Sequence, residues 1–232
     1  MFSIADKLKN VRSIIQKATI SAQRLEGSVD LLPVSKKHPA EAVLEAYAEG
    51  CSAFGENYVS EALDKQAEVA RLAPEIASNI VWHFIGPVQS NKTRLIAESF
   101  GWVQSLDREK IAQRLNDQRP DSLPPLNVCI QVNIDDESTK SGISLQELDA
   151  FSAFVSQLPH LCLRGLMTIP SASSGDAALS SSMAALNSAF EHLKAQYNTV
   201  DTLSMGMSSD IDIAIQNGST MVRVGTAIFG AR

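Results

Sequence analysis

The feature that most constrains this chain is a repeated pattern: eight apolar runs of strand length alternate with helical segments, in units of about 25 to 35 residues. The runs are 31–36, 51–55, 80–85, 102–106, 126–134, 161–169, 202–205 and 221–224. Helical spacing or helix-start residues place helices at 39–49, 58–72, 92–98, up to 116, 145–158, 176–197 and 210–216, with Asp107 positioned to cap the fourth of these. Such alternation points to parallel βα connections, and eight is the number of strands that closes a (β/α)8 barrel. The alternative is an open doubly wound sheet. No strand is followed by GxGxxG, however, and the glycines fall at strand ends. The expectation is a single (β/α)8 TIM-type barrel domain spanning 1–232, with an extra N-terminal helix.

That extra helix is read from Ile4, Leu8, Val11, Ile14, Ile15 and Ala18, which recur at helical spacing among charges. The charges exclude a signal peptide's uninterrupted apolar region. Few residues follow the eighth strand, so this helix is expected to cover that side of the barrel. With 44% hydrophobic and 20% charged residues among 232, the chain is ordinary for a globular protein able to bury a large core. A formal charge of -6 gives no support to nucleic-acid binding. No apolar segment approaches the ~20 residues that cross a bilayer. Cys51, Cys129 and Cys162 show no CxxC or Cys/His metal spacing and read as reduced thiols of a cytoplasmic protein.

Functional groups of such a barrel gather at the C-terminal ends of its strands. Lys36, Asn57, His83, Met167, Ser208, Arg223, Gly225 and Thr226 all fall at or near those ends. On the first strand Lys36 shares parity with Leu32 and Val34, which turns it toward the core, whereas Lys37 begins the loop. An isolated lysine there is ordinarily a solvent-exposed strand end. The loops after strands seven and eight, Gly206-Met207-Ser208-Ser209-Asp210 and Gly225-Thr226, supply glycines, hydroxyls and backbone N–H groups suited to a phosphate. Either loop alone is also simple turn chemistry. A lysine beside a phosphate site suggests a phosphorylated aldehyde held as a Schiff base, with pyridoxal 5'-phosphate (PLP) as candidate. Arg223 has the parity of Gly225, so its guanidinium can reach the pyridine nitrogen, where a cation disfavours protonation and weakens the ring as an electron sink. An ion pair is its competing role. Asn57 is equally placed to cap the next helix or to touch the cofactor, and His83 reads first as a hydrogen-bonded core histidine. Lys92 and Lys140 read as solvated loop lysines, and the Glu/Lys pattern of 58–72 as an exposed helix face.

Taken together and in order, Val34-Ser35-Lys36, Phe54-Gly55-Glu56-Asn57-Tyr58, Trp82-His83-Phe84-Ile85-Gly86, Arg164-Gly165-Leu166-Met167, Ser204-Met205-Gly206-Met207-Ser208 and Arg223-Val224-Gly225-Thr226 run nearly end to end. Through them the chain resembles the pyridoxal phosphate homeostasis protein family, whose fold is similar to the N-terminal barrel of alanine racemase. The resemblance implies a cytosolic protein with PLP on Lys36. It would contribute to vitamin B6 homeostasis and, indirectly, to amino-acid pools, with no established turnover. Other B6 vitamers and recipient apoenzymes are the implied partners. Lys37-His38 and the serine-rich 171–174 depart from the pattern without touching the proposed contacts. A small PLP-dependent racemase is the alternative, but two-base racemization needs a base on each cofactor face, and Lys36 is the evident one. A monomer is expected, since no large apolar surface stripe stands out.

Overall fold

The computed structural model describes residues 3–135, 141–170 and 175–230, so the expectations for Lys140 and for the serines of 171–174 lie outside the described residues. The strands are β1 (Asp30–Pro33), β2 (Ala53–Glu56), β3 (Val81–Phe84), β4 (Trp102–Leu106), β5 (Leu126–Gln131), β6 (Leu161–Met167), β7 (Thr202–Ser204) and β8 (Met221–Val224). Between and around them lie α1 (Ile4–Ser21), α2 (Ala40–Ala48), α3 (Val59–Leu72), α4 (Pro74–Ala77), α5 (Thr93–Ser99), α6 (Glu109–Gln118), α7 (Leu148–Ser156), α8 (Asp176–Gln196), α9 (Ile211–Gln216) and α10 (Thr226–Phe229). All strands run parallel in the order β1-β8-β7-β6-β5-β4-β3-β2, which is the expected barrel. Its closure is uneven. β1 and β2 share one bridge, Val34 to Gly55, and the Ser35 N–H donates to the Gly55 carbonyl at 3.1 Å. The ring is therefore complete at the C-terminal end of the strands and split between β1 and β2 below it.

Alternation along each strand divides the core into two shells. The outer shell, between sheet and helices, holds the fully buried Phe54, Phe84, Phe100 and Phe190. A smaller inner cluster of Leu32, Val34, Ile85 and Met221 lies in the barrel. The N-terminal helix does what its pattern predicts. Ser3 and Asp6 form a capping box, and Leu8, Val11, Ile15 and Ala18 are buried. Helix α1 packs on α9, α10 and α2, while Arg24 beyond it donates to the carbonyls of Ile215 and Ser219. Ile14, expected on the buried face, is exposed.

Several local expectations are corrected. The first, fifth and sixth strands stop at Pro33, Gln131 and Met167, because the chain turns out of the ladder at the mouth: Ile143 N–H folds back onto the Gln131 carbonyl, and His38 N–H onto that of Ser35. Pro74 ends α3 but starts the extra turn α4. A 3-10 turn at Leu145–Glu147, with its own capping box from Ser144, precedes α7. Asp107 caps nothing. The N-cap of α6 is Arg108, and Asp107 instead lies 3.2 Å from the Arg108 guanidinium.

Two glycines are dictated by geometry. Gly206 holds φ +97°, and a Cβ there would lie 2.5 Å from the Ala214 methyl. At Gly86 a Cβ would lie 2.2 Å from the Asn57 carbonyl oxygen, so the ends of β2 and β3 approach only because residue 86 has no side chain. Gly86→Ala should therefore cost about 1–3 kcal/mol, as overpacking does, and lower the urea midpoint. A midpoint equal to wild type would show that the β2 and β3 ends move apart without cost.

Candidate functional site

Lys36 is half-buried one turn beyond β1, between two residues that are fixed in place. Ser35 is fully buried; its hydroxyl donates to Glu56 Oε1 at 2.6 Å, and its carbonyl accepts from Lys65 Nζ at 2.7 Å. Lys65 Nζ also lies 2.6 Å from Glu56 Oε1 and 3.3 Å from Glu61 Oε1. On the other side, Lys37 takes φ +63°, and its N–H donates to Glu61. Burial pushes the Glu56 carboxyl up, opposed by the Lys65 ammonium. Removing one member of such a buried pair typically costs about 3–5 kcal/mol, because the other is left uncompensated.

Neither Glu56 nor Lys65 was anticipated as part of the site. The 58–72 helix reads as exposed in sequence, yet Lys65 is 5% exposed. The signal was the strand parity of Glu56 with Phe54, which turns its carboxylate toward the helices rather than the loop.

The remaining predicted residues follow β7, β8 and β2, which with β1 are consecutive around the ring, and so lie at the same end of the barrel as Lys36. Ser208 follows β7 and is exposed; Gly225 and the exposed Thr226 follow β8; Asn57 follows β2. Helix α10 starts at Thr226, so the N–H groups of Thr226 and Ala227 have no acceptor within it. The His38 ring stacks on Phe229 of α10 at 5.2 Å, tying the Lys36 turn to this loop. Asn57 does not cap α3, whose N-cap is Tyr58 without a side-chain bond. Its Oδ1 is instead buried without a hydrogen-bond partner. Asn57 borders a mouth cavity of about 200 Å³ with Ile85, Pro87, Gln131, Ser141 and Ile169. A buried amide oxygen that no described residue satisfies is suited to a ligand's hydroxyl. Met167 and Met205 are fully buried and pack the barrel top.

Arg223 lies inside the barrel, 4% exposed, rather than in a surface ion pair. Nη1 donates to the carbonyl and hydroxyl of Ser204, both at 2.8 Å, and Nη2 to the Thr168 carbonyl at 2.7 Å. Of a guanidinium's five N–H bonds this leaves two for a ligand. Burial pulls its pKa down to about 10, so it remains a cation at neutral pH.

From Arg223 a polar chain continues down the lumen. The Ser204 hydroxyl donates to Gln104 Oε1 at 2.7 Å, which turns the Gln104 amide nitrogen toward His83 Nδ1, 3.0 Å away. Nδ1 is thereby an acceptor, so the ring proton sits on Nε2. His83 stacks on Trp102 at 4.9 Å and is 3% exposed; burial lowers its pKa to about 3. It is the hydrogen-bonded core histidine of the sequence reading.

A family model described as alanine racemase, N-terminal domain, matches residues 10–232. A protein of Pseudomonas aeruginosa named pyridoxal phosphate homeostasis protein is 52% identical over 100% of this chain and 97% of its own length. The chain belongs to the pyridoxal phosphate homeostasis protein family. A member of that name from Escherichia coli K12 is 51% identical, covering 100% of this chain and 98% of its own. A structure of PipY from Synechococcus elongatus with PLP bound is similar at a TM-score of 0.82 and 36% identity, over 98% of this chain and 100% of that one. Alanine racemase from Corynebacterium glutamicum shares the fold at a TM-score of 0.68 and 16% identity, over 99% of this chain and 61% of its own.

The polar lumen makes the family barrel sensitive to acid. An unfolded histidine takes a proton below about pH 6.5, whereas folded His83 stays neutral to about pH 3. Its contribution to stability is thus fully present above the unfolded value and is lost as pH falls through the window between the two. From pH 6.5 to 4.5 this one group should remove roughly 2–3 kcal/mol. In denaturant titrations His83→Gln should flatten the stability–pH curve by that amount; parallel curves for variant and wild type would contradict the assignment.

Proposed function

We propose that this chain binds PLP at the C-terminal mouth of its barrel, held as a Schiff base on Lys36, and acts in vitamin B6 homeostasis by buffering and delivering the cofactor. The observation that carries the reading is the anchored Lys36 turn, set on one ring of strand ends with Arg223, the unsatisfied Asn57 amide and two loops rich in N–H and hydroxyl donors. The relatives named for PLP homeostasis and the PLP-bound PipY structure support the choice of ligand. Lys36 condenses with the aldehyde and releases one water; hydrolysis consumes that water and returns both partners, so the tether is reversible.

Each site residue then has a task. Ser208, Gly225 and Thr226 cradle the phosphate with hydroxyl and backbone donors. Asn57 meets a polar substituent of the ring. Arg223 directs a remaining N–H at the pyridine nitrogen and, as a cation, opposes its protonation. When bound, PLP supplies an electrophilic aldehyde carbon whose electron-sink chemistry this cation weakens. A carrier reading follows more readily than a racemase. Racemization needs a second proton-transferring group across the cofactor, and Tyr58, the tyrosine next to Asn57, is 49% exposed with its ring beneath the Lys37 ammonium at 5.7 Å. Three free cysteines, two of them buried, fit a cytoplasmic setting. The exposed large apolar residues are scattered along the chain, from Ile14 to Ile169, in keeping with a monomer. The recipients are apo forms of PLP-dependent enzymes, and other B6 vitamers compete for the mouth.

Borohydride reduction of the PLP-loaded protein followed by peptide mapping should place a pyridoxyl adduct on Lys36, absent in Lys36→Ala. An adduct elsewhere, or none, defeats the reading. Asn57→Ala should weaken PLP binding about tenfold, the loss of one hydrogen bond of ~1.4 kcal/mol. Exchange of the α-proton across a panel of amino acids, abolished by Lys36→Ala, would replace the carrier with an enzyme.

A further inference from the structure

The split between β1 and β2 opens a second cavity at the opposite end of the barrel from Lys36, of about 450 Å³. One side is the start of β1 at Asp30 and Leu31, the other is Ser52 and Ala53, and Arg12 of α1 stands at the rim. Its lining also includes His83 and Trp102, whose stacked rings reach it from the lumen.

Three observations make this more than a packing defect. First, every hydrogen bond of the lumen chain runs in one direction: Arg223 donates to Ser204, Ser204 to Gln104, and Gln104 to His83. The chain ends on the His83 Nε2–H, for which the described residues show no acceptor, on a residue that lines this cavity. A donor left without a protein acceptor at a cavity wall is a place for a ligand oxygen. Second, the rim carries both signs of charge. Arg12 Nη2 is held at 2.7 Å by the Glu49 carbonyl, leaving further N–H bonds available, and Asp30 lies on the β1 side. Third, Leu31, Val81 and Trp102 line it as well and make part of its wall apolar.

We propose that this cavity is a second small-molecule site, which takes the zwitterion of a free amino acid and is coupled to the mouth through the lumen chain. The carboxylate accepts from His83 Nε2–H and Arg12, the ammonium faces Asp30, and the side chain lies along Trp102 and Val81. Burial and the nearby Asp201 already push the Asp30 carboxyl up, so a cation there relieves an unfavourable charge. An anionic acceptor on His83 makes its Nδ1 a better acceptor in turn, strengthening each bond back to Arg223. Arg223 is drawn toward Ser204 and loosens its hold at the mouth, so an occupied lower site favours release of the cofactor. The coupling rests on the cofactor reading above; the site itself does not.

The test uses N,N-dimethylglycine, a zwitterion whose tertiary amine forms no Schiff base and so cannot act by exchange at Lys36. Titrated into the PLP-loaded protein, it should shift the His83 ring NMR signals saturably. Acetate, which lacks the ammonium, should need about tenfold more. Val81→Trp fills the cavity from a position that is 40% exposed, and so compatible with folding; it should abolish the shift, and Asp30→Asn should weaken it about tenfold. The same ligand should raise the PLP dissociation constant about fivefold. No saturable His83 shift, or one that persists in Val81→Trp, overturns the site. A saturable shift with an unchanged PLP constant supports the site and overturns the coupling. A protein that shows the His83 shift but takes up no PLP would sink the cofactor reading alone.

Discussion

The barrel depends on how its first and second strands meet. Every other neighbouring pair is joined within its strands, by as few as one residue pair between β7 and β8 and as many as six between β5 and β6, but β1 and β2 meet only at the bridge of Val34 to Gly55 beyond the end of β1. The missing ladder is replaced by side chains: Glu56 at the end of β2 accepts from Ser35 just beyond β1, and Lys65 of α3 bonds both. Ionic groups this deep lose much hydration, and their mutual attraction offsets the loss only when the geometry is good and the hydrogen bonds are filled. Here they close the ring at the level of Lys36. Closure of the fold and placement of Lys36 are one interaction.

The same economy shows inside the barrel. Branched apolar residues usually dominate the interior of such folds, and Leu32, Val34, Ile85 and Met221 meet that expectation on part of the wall. Along the rest, His83, Gln104, Ser204 and Arg223 form a bonded chain in which each member satisfies the next. A polar core of this kind is tolerable only while complete, since one lost partner leaves a buried group unsatisfied. In exchange it gives Arg223 a fixed orientation that an apolar lumen would not provide.

Strand periodicity was enough to read eight parallel strands and which residues lie at their C-terminal ends. The positions of Lys36, Ser208, Gly225 and Thr226 at that end followed from the same pattern. What failed was anything decided by tertiary context. Lys65 sits in a helix whose charges look solvated; only its contact with Glu56, a separate element, removes it from water. Asp107 has the residue type of a cap, but the helix begins one residue later and its carboxylate turns to Arg108. Asn57 was balanced between two roles that sequence spacing allows equally, and the position of Tyr58 as N-cap removed one of them. The split in the sheet left no trace in the hydrophobic pattern, because pairing is a property of two strands and periodicity a property of one.

The burial of Lys65 also bears on chemoselectivity. Two lysines flank the Ser35 carbonyl: Lys36 follows it in the chain, and Lys65 Nζ donates to it at 2.7 Å. The nitrogen of Lys65 is surrounded by three oxygens, of Ser35, Glu56 and Glu61, an arrangement matched to the three N–H bonds of an ammonium. An ammonium has no lone pair to offer an aldehyde. In the carrier role proposed above, the lysine that builds the turn is thereby disarmed as a nucleophile, and condensation would fall to the neighbour it holds in place.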